Sequence, residues 1–319
     1  MIRNIAIIGA GNVGSTLAYT LASAGTVEEL SLIDINMAKA EGEVLDIRDG
    51  LSFLRPVNVR AGGYSLCREA NIAIITAGVN QKPGQTRLDL LHQNAALYRR
   101  IIPSILEYND QLLVLVVTNP VDPLTYLSVK LSGLPSDKVF GSGTVLDTAR
   151  FRNQISLHCR INPRNIHGYV IGEHGDGAVV VWSATQVAGI KLDQFCRFCG
   201  KGCSAQEEIG QKVRNAAEQI ITRKGATYYA ISLAVKQIVQ SIFGNENSIL
   251  TISSLVHQYS EISNVCFSLP AVINRNGIKD ILYPDLADPE KEALIRCAAI
   301  LKQAQNQICK EAGPVPVLV

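Results

Sequence analysis

Short apolar runs and longer amphipathic stretches alternate along the chain from its first residues. Residues 5–8 (Ile-Ala-Ile-Ile) read as a strand by their β-branched content, and residues 15–24 repeat apolar positions at helical spacing. A second strand, residues 29–33, ends in Asp34. Further strands fall at residues 72–76 and 112–118, and a short one around Val139-Phe140 closes the set. Strands that are apolar throughout and separated by helices predict an α/β fold with a parallel sheet buried on both faces. Ligands of such sheets sit at the carboxyl ends of strands. Thr76-Ala77-Gly78 and the Asn119-Pro120 turn are at such ends. No Pro- or Ser-rich linker marks a boundary and no repeat is visible. The sheet should be complete near Gly143, which divides the chain into residues 1–142 and 143–319.

Between the first strand and its helix lies Gly9-Ala10-Gly11-Asn12-Val13-Gly14. A glycine pattern alone says little, but this one follows a strand, opens a helix, and is trailed by a strand ending in an acid. Glycines let backbone approach a pyrophosphate, and the helix N-terminus offers free N–H groups and partial positive charge. Asp34 stands where a carboxylate accepts from an adenosine ribose. The first half thus reads as a Rossmann-type nucleotide domain. A carboxylate at Asp34 would repel a 2′-phosphate, and Ile35-Asn36-Met37 supplies no arginine to accept one. The expected cofactor is NAD rather than NADP.

Composition adds limits. The 319 residues are 47% hydrophobic and 18% charged with a net charge of +2, so no basic block argues for nucleic acid. The longest apolar runs are strand-sized and too short to span a bilayer. The first apolar run is short and already belongs to the fold, leaving no room for a signal peptide. A cytoplasmic location is expected, with the eight cysteines reduced and mostly buried.

Candidate chemistry sits in two places. A strand-like segment, residues 166–171, delivers Gly172-Glu173-His174-Gly175-Asp176, and upstream a polar loop runs from Asn80 through Gln81 and Gly84 to Arg87. A histidine that moves a proton near neutral pH and an arginine that polarises a carbonyl are what carbonyl reduction needs. Residues 145–152 read as a helix, on which Asp147 and Arg150 share a face.

With these residues in order, the chain resembles the L-lactate and malate dehydrogenase family, in its bacterial-type lactate dehydrogenase branch. The resemblance spans nearly the full length: the glycine signature with Asp34, the Gln81 to Arg87 loop, Asn119-Pro120-Val121-Asp122, residues 141–152, residues 172–176, and Lys224-Gly225-Ala226-Thr227. It implies a Rossmann domain followed by an α+β catalytic domain, and reversible hydride transfer between NADH and pyruvate to give L-lactate. His174 is then the general acid and base, Asp147 fixes its tautomer, and Arg150 holds the substrate carboxylate as a fork that lysine lacks. Arg87 comes in to stabilise charge on the reacting oxygen. Asn119 holds substrate and cofactor, while Thr227 and Ile231 line the pocket near the methyl group and the nicotinamide. Gln81 faces the substrate's third carbon, where malate dehydrogenases carry an arginine. The resemblance also implies a homo-oligomer, a tetramer as the expectation. Arg152 and His167 match positions where some bacterial relatives bind fructose 1,6-bisphosphate across a subunit interface.

Gly177-Ala178 to Trp182 departs from the family, which usually has serine or threonine after the acid and a proline two residues before the tryptophan. That touches the substrate-side wall and resembles relatives taking longer aliphatic 2-oxo acids. The nearest rival activities are malate and branched 2-hydroxy-acid dehydrogenation. A non-catalytic binding module would be expected to lack one of the four key residues, and none is missing. His92, His158 and His257 read as surface or core residues. Cys196, Cys199 and Cys203 form C-x-x-C-x-x-x-C, a spacing that invites a metal. No fourth ligand stands beside them, so unpaired thiols and no metal are expected.

Overall fold

Alternate side chains of the first strand enter two different cores, which is what a sheet covered on both faces requires. The computed structural model describes residues 2–79, 87–199 and 205–310. Its first half runs β1 (Asn4–Ile8), α1 (Asn12–Ser23), β2 (Glu29–Ile33), α2 (Met37–Asp49), β3 (Asn58–Ala61), β4 (Ile72–Ile75), α3 (Arg87–Leu106), β5 (Leu113–Val116), α4 (Val121–Ser132) and β6 (Val139–Gly141). Ile5 and Ile7 join Leu17, Leu21 and Val44 on one face, whereas Ala6 and Ile8 join Tyr98, Ile102 and Leu124 on the other. All pairings among β1 to β6 are parallel.

The second half continues with α5 (Val145–Cys159), β7 (Ile166–His167), β8 (Val170–Gly172), β9 (Ala178–Val180), β10 (Gln186–Val187), β11 (Ile190–Lys191), α6 (Leu192–Cys199), α7 (Gln206–Arg214), α8 (Ala216–Lys224), α9 (Tyr229–Gly244), β12 (Ser248–Tyr259), β13 (Ile262–Asn274), β14 (Gly277–Ile281) and α10 (Asp288–Lys310). Two of its helices return to the first half. Val235 and Ile238 of α9 share a core with Leu17 and Leu21 of α1. At the other end, Ile308 of α10 is buried among α3 and α4 side chains.

Two expectations need correction. The sheet does not end at β6. Ser253 of β12 pairs antiparallel with Gly141, and among the described residues the sheet reaches eleven strands, in the order β3-β2-β1-β4-β5-β6-β12-β13-β8-β9 with β14 on β13. Both strands of the long β12–β13 hairpin are largely buried, so they need cover on each side and extend the existing sheet. The strand expected over residues 166–171 is instead two. β7 pairs with β10 in a separate small sheet, and β8 pairs with β9 and β13. Gly168 lies between them, pressed against its neighbours: a Cβ there would be 2.7 Å from the Phe151 ring. The chain changes sheets at the one residue small enough to pass.

Candidate active site

The carboxyl ends of β1, β4 and β5 lie side by side. Gly9 leaves β1 at φ +111°, a conformation L side chains rarely adopt. A Cβ on Gly14 would sit 1.8 Å from the Gly9 carbonyl oxygen, so only glycine lets α1 begin this close to the strand. Thr76 Oγ1 donates to that same oxygen at 3.0 Å. Asp34, after β2, accepts from the N–H groups of Ala10 (2.6 Å) and Asn36 (2.8 Å). Gly11, Asn12 and Val13 open α1 with no side-chain cap, which leaves helix N–H groups and the positive end of its dipole for an anion. A dinucleotide fits these features. A Cβ on Gly11 would meet nothing within 4 Å, so a pyrophosphate would have room at the start of α1, and a ribose would reach the Asp34 carboxylate, whose oxygens accept more than one bond.

Beside this turn, Thr118 Oγ1 donates to the Ala77 carbonyl at 2.8 Å, and Gly78 packs on the Thr118 methyl. Asn94 of α3, 1% exposed, links both strand ends: its Oδ1 accepts from Val79 N–H and its Nδ2 donates to Asn119 O, each at 2.8 Å. The Asn119–Pro120 peptide bond is cis.

Across the sheet edge, α5 and the loop after β8 bring together residues distant in sequence. Asp147 Oδ2 is 2.5 Å from His174 Nδ1, and Asp147 Oδ1 accepts from Arg150 Nη1 at 3.0 Å. One carboxylate is divided between imidazole and guanidinium. Burial raises the Asp147 pKa, but His174 and Arg150 outweigh it and hold the group below the usual carboxylate range. For His174, burial favours the neutral ring, yet the charge and hydrogen bond of Asp147, then the charge of Asp122, carry its pKa above the ordinary value. Nε2 is the ring nitrogen left for a substrate.

The loop carrying His174 is held by two bonds to other elements and one within itself. His174 N–H donates to Asp122 Oδ2 (2.9 Å), Glu173 N–H to Cys297 Sγ on α10 (3.2 Å), and Gly177 N–H to Glu173 Oε2 (3.0 Å). Neither Asp122 nor Asn94 was assigned a task from sequence. Each does leave a trace there, a polar residue in an otherwise apolar register: Asp122 before Leu124, and Asn94 among Leu91, Ala95 and Tyr98.

The remaining candidates lie as follows. Thr227 precedes α9, and Ile231, in its first turn, packs with Val13 against the core beneath α1. Arg152 Nε donates to Gly168 O at 3.1 Å and its guanidinium lies over Tyr169, while His167, next to Gly168, is exposed. Gln81 lies outside the described residues, and Arg87 is described only as the first residue of α3. Cys196 is buried, but Cys203 and the Cys199 side chain lie outside the described residues. Among the described residues no group of three or more potential metal ligands gathers.

Residues 3–141 match the lactate/malate dehydrogenase NAD binding domain, and residues 144–312 match the lactate/malate dehydrogenase alpha/beta C-terminal domain. The chain is 52% identical over 309 residues to an L-lactate dehydrogenase of Thermoanaerobacter sp. (strain X514), covering 96% of this chain and 99% of that protein. It is 49% identical to one from Acetivibrio thermocellus, over 95% of this chain and 96% of the relative. Among solved structures, the minor L-lactate dehydrogenase of Enterococcus mundtii in its ligands-bound form superposes with a TM-score of 0.93 at 40% identity, covering 96% and 98% of the two chains. A lactate dehydrogenase from a Medee basin deep-sea metagenome library gives 0.94 at 41% identity, over 97% and 99%.

Proposed function

The chain belongs to the lactate/malate dehydrogenase family, and from that premise we propose that it is an NAD-dependent L-lactate dehydrogenase that reduces pyruvate reversibly to L-lactate. The observation that carries the reading is the single carboxylate of Asp147 bonded to both His174 and Arg150. A 2-oxo acid needs a proton donor at its carbonyl oxygen and a cation at its carboxylate, held in fixed relation. Asp147 supplies that relation. Bound NADH supplies the hydride. His174, as imidazolium, gives the proton from Nε2 to the carbonyl oxygen and retains Nδ1–H on Asp147; in the reverse direction the neutral ring takes it back. Arg150 keeps guanidinium donors beyond Nη1 for the substrate carboxylate. Arg87 stabilises the oxygen as charge develops, Asn119 orients substrate and cofactor, and Thr227 and Ile231 close the apolar side.

Cofactor binding falls to Gly9, Gly11, Asn12, Val13, Gly14 and Asp34, with Thr76, Ala77 and Gly78 at the neighbouring strand end. The division into cofactor and catalytic parts is placed between residues 142 and 143. Comparison of kcat/KM for pyruvate, oxaloacetate and 4-methyl-2-oxopentanoate with NADH tests the function. A preference for oxaloacetate or for the branched acid replaces lactate with a rival activity, and no NADH oxidation with any of them returns the chain to a binding role.

We further propose a cytoplasmic homo-oligomer, a tetramer as the expectation. Its support is the set of exposed apolar side chains Tyr19 of α1, Leu45 of α2, Phe53, and Tyr229 and Leu233 of α9, all more than half exposed. Sedimentation at micromolar concentration tests it, and a monomer rejects it. No described helix is long and apolar enough to cross a membrane. Arg152 and His167 flank Gly168 and suit a sugar bisphosphate effector between subunits. Pyruvate saturation curves that coincide with and without fructose 1,6-bisphosphate, at acidic and neutral pH, end that idea.

A further inference from the structure

Behind the proton-transfer histidine stands a second carboxylate that the reading above does not use. Asp122 is 1% exposed, in the first turn of α4, immediately after the Asn119-Pro120-Val121 turn. Its Oδ2 accepts the main-chain N–H of His174 at 2.9 Å. Its Oδ1 is buried beside the Ser253 hydroxyl of β12, which favours the ionised form but makes no well-formed hydrogen bond to it. A buried acid held by one main-chain donor and a poorly placed hydroxyl is costly in a merely structural place. Asparagine would hold the same N–H without the charge, so the charge itself calls for a task.

We infer that Asp122 is a positioning residue for His174, fixing the ring through its main chain and adding a second negative charge that favours the imidazolium. The inference rests on the lactate dehydrogenase reading for what His174 does, but not for how His174 titrates. The site is a sandwich. Asp147 and Arg150 of α5 lie on the ring side, Asp122 lies on the main-chain side, and Ser253 of β12 is adjacent. Glu173 before His174, Cys266 of β13 and Cys297 of α10 are the other titratable groups facing Asp122. Both cysteine pKa values are raised by burial, so these thiols are neutral near pH 7. Burial, the largest influence, and Glu173 oppose ionisation of Asp122, while Ser253, the His174 N–H and the charge on His174 favour it. Asp122 and His174 therefore titrate as a coupled pair, and removing one charge moves the other's midpoint.

The test uses Asp122→Asn, which keeps an acceptor for the His174 N–H, and Asp122→Ala, which does not. The His174 imidazole is followed by NMR against pH in the full chain without cofactor, a readout independent of any substrate. Both variants should titrate His174 at lower pH than the unsubstituted protein. With NADH and pyruvate, Asp122→Ala should lose about tenfold or more in kcat, in the range of a displaced general acid, and Asp122→Asn should lose clearly less. An unmoved His174 midpoint overturns the inference, even alongside a fall in kcat, since lost packing alone gives that pattern. If Asp122→Ala does not fold, the Asp122→Asn midpoint decides by itself. If the unsubstituted protein fails to reduce pyruvate, the functional reading fails while the midpoint still tests Asp122.

Discussion

Asp147 and His174 are 27 positions apart in the chain, yet the carboxylate Oδ2 and the imidazole Nδ1 are 2.5 Å apart. A charge-assisted bond of that length holds the ring in one tautomer and stabilises its protonated form. On the proposed reading, each direction of the reaction uses a different protonation state. Reduction draws on imidazolium, oxidation on the neutral ring.

His174→Asn should reduce kcat for pyruvate reduction by about a hundredfold or more, the size of a general acid–base contribution. NADH affinity, measured by fluorescence, should change little, because the turn holding Gly9 and Gly14 lies at other strand ends. A variant that keeps most of its kcat shows that His174 is misassigned.

The pH dependence has a definite sign. Burial lowers the proton affinity of His174, but Asp147 and then Asp122 raise it beyond the ordinary value of about 6.5. Pyruvate reduction needs the proton on, so its alkaline limb should lie above that pH, and lactate oxidation should rise over the same range. Asp147→Asn removes the largest raising influence and should move the limb down. Profiles of kcat/KM against pH for both enzymes check this, and coincident limbs count against it.

Stability should respond to Asp122 in the opposite sense from an ordinary ion-paired acid. Burial pushes its carboxyl up to about 7, against roughly 3.9 in an unfolded chain. The penalty is absent below about pH 4, builds as pH rises, and is complete above the folded value. At ~1.4 kcal/mol for each tenfold difference it amounts to a few kcal/mol. Asp122→Asn should therefore raise Tm at pH 8, with the gain shrinking toward pH 4. Calorimetry showing no gain at pH 8 removes the premise.

Gly14→Ala places a methyl 1.8 Å from the Gly9 carbonyl, so α1 or the β1 turn must move. Loss of NADH binding by tenfold or more is expected, together with a lower Tm. Binding equal to the unsubstituted chain places the pyrophosphate elsewhere.

We expect substrate choice to turn on Gln81, which the family resemblance places at the substrate's third carbon. A neutral amide there leaves the second carboxylate of oxaloacetate desolvated without a partner, a cost of several kcal/mol. Pyruvate should be preferred about a hundredfold or more, for which ~2.7 kcal/mol is enough. Gln81→Arg should reverse or sharply narrow that ratio, and a parent that prefers oxaloacetate rejects the assignment.

Much of this molecule can be read from its sequence because local physics writes it there. A parallel sheet buried on both faces needs unbroken apolar strands, so β1, β4 and β5 stand out as runs. A turn with φ near +111° and an atom 1.8 Å from a Cβ position needs glycine, so the turn after β1 shows as spacing. Other features depended on the chain meeting itself. β12 had to reach Gly141 to continue the sheet, and α9 had to return to α1. Gly168, pressed against Phe151, split a strand-like segment into strands of two sheets. Asp122 and His174 are 52 residues apart. Asn94 spans from Val79 to Asn119 through two side-chain hydrogen bonds. Hydrophobic period records which face of an element is buried. It does not record which distant polar group will be waiting there, because that depends on how whole elements pack.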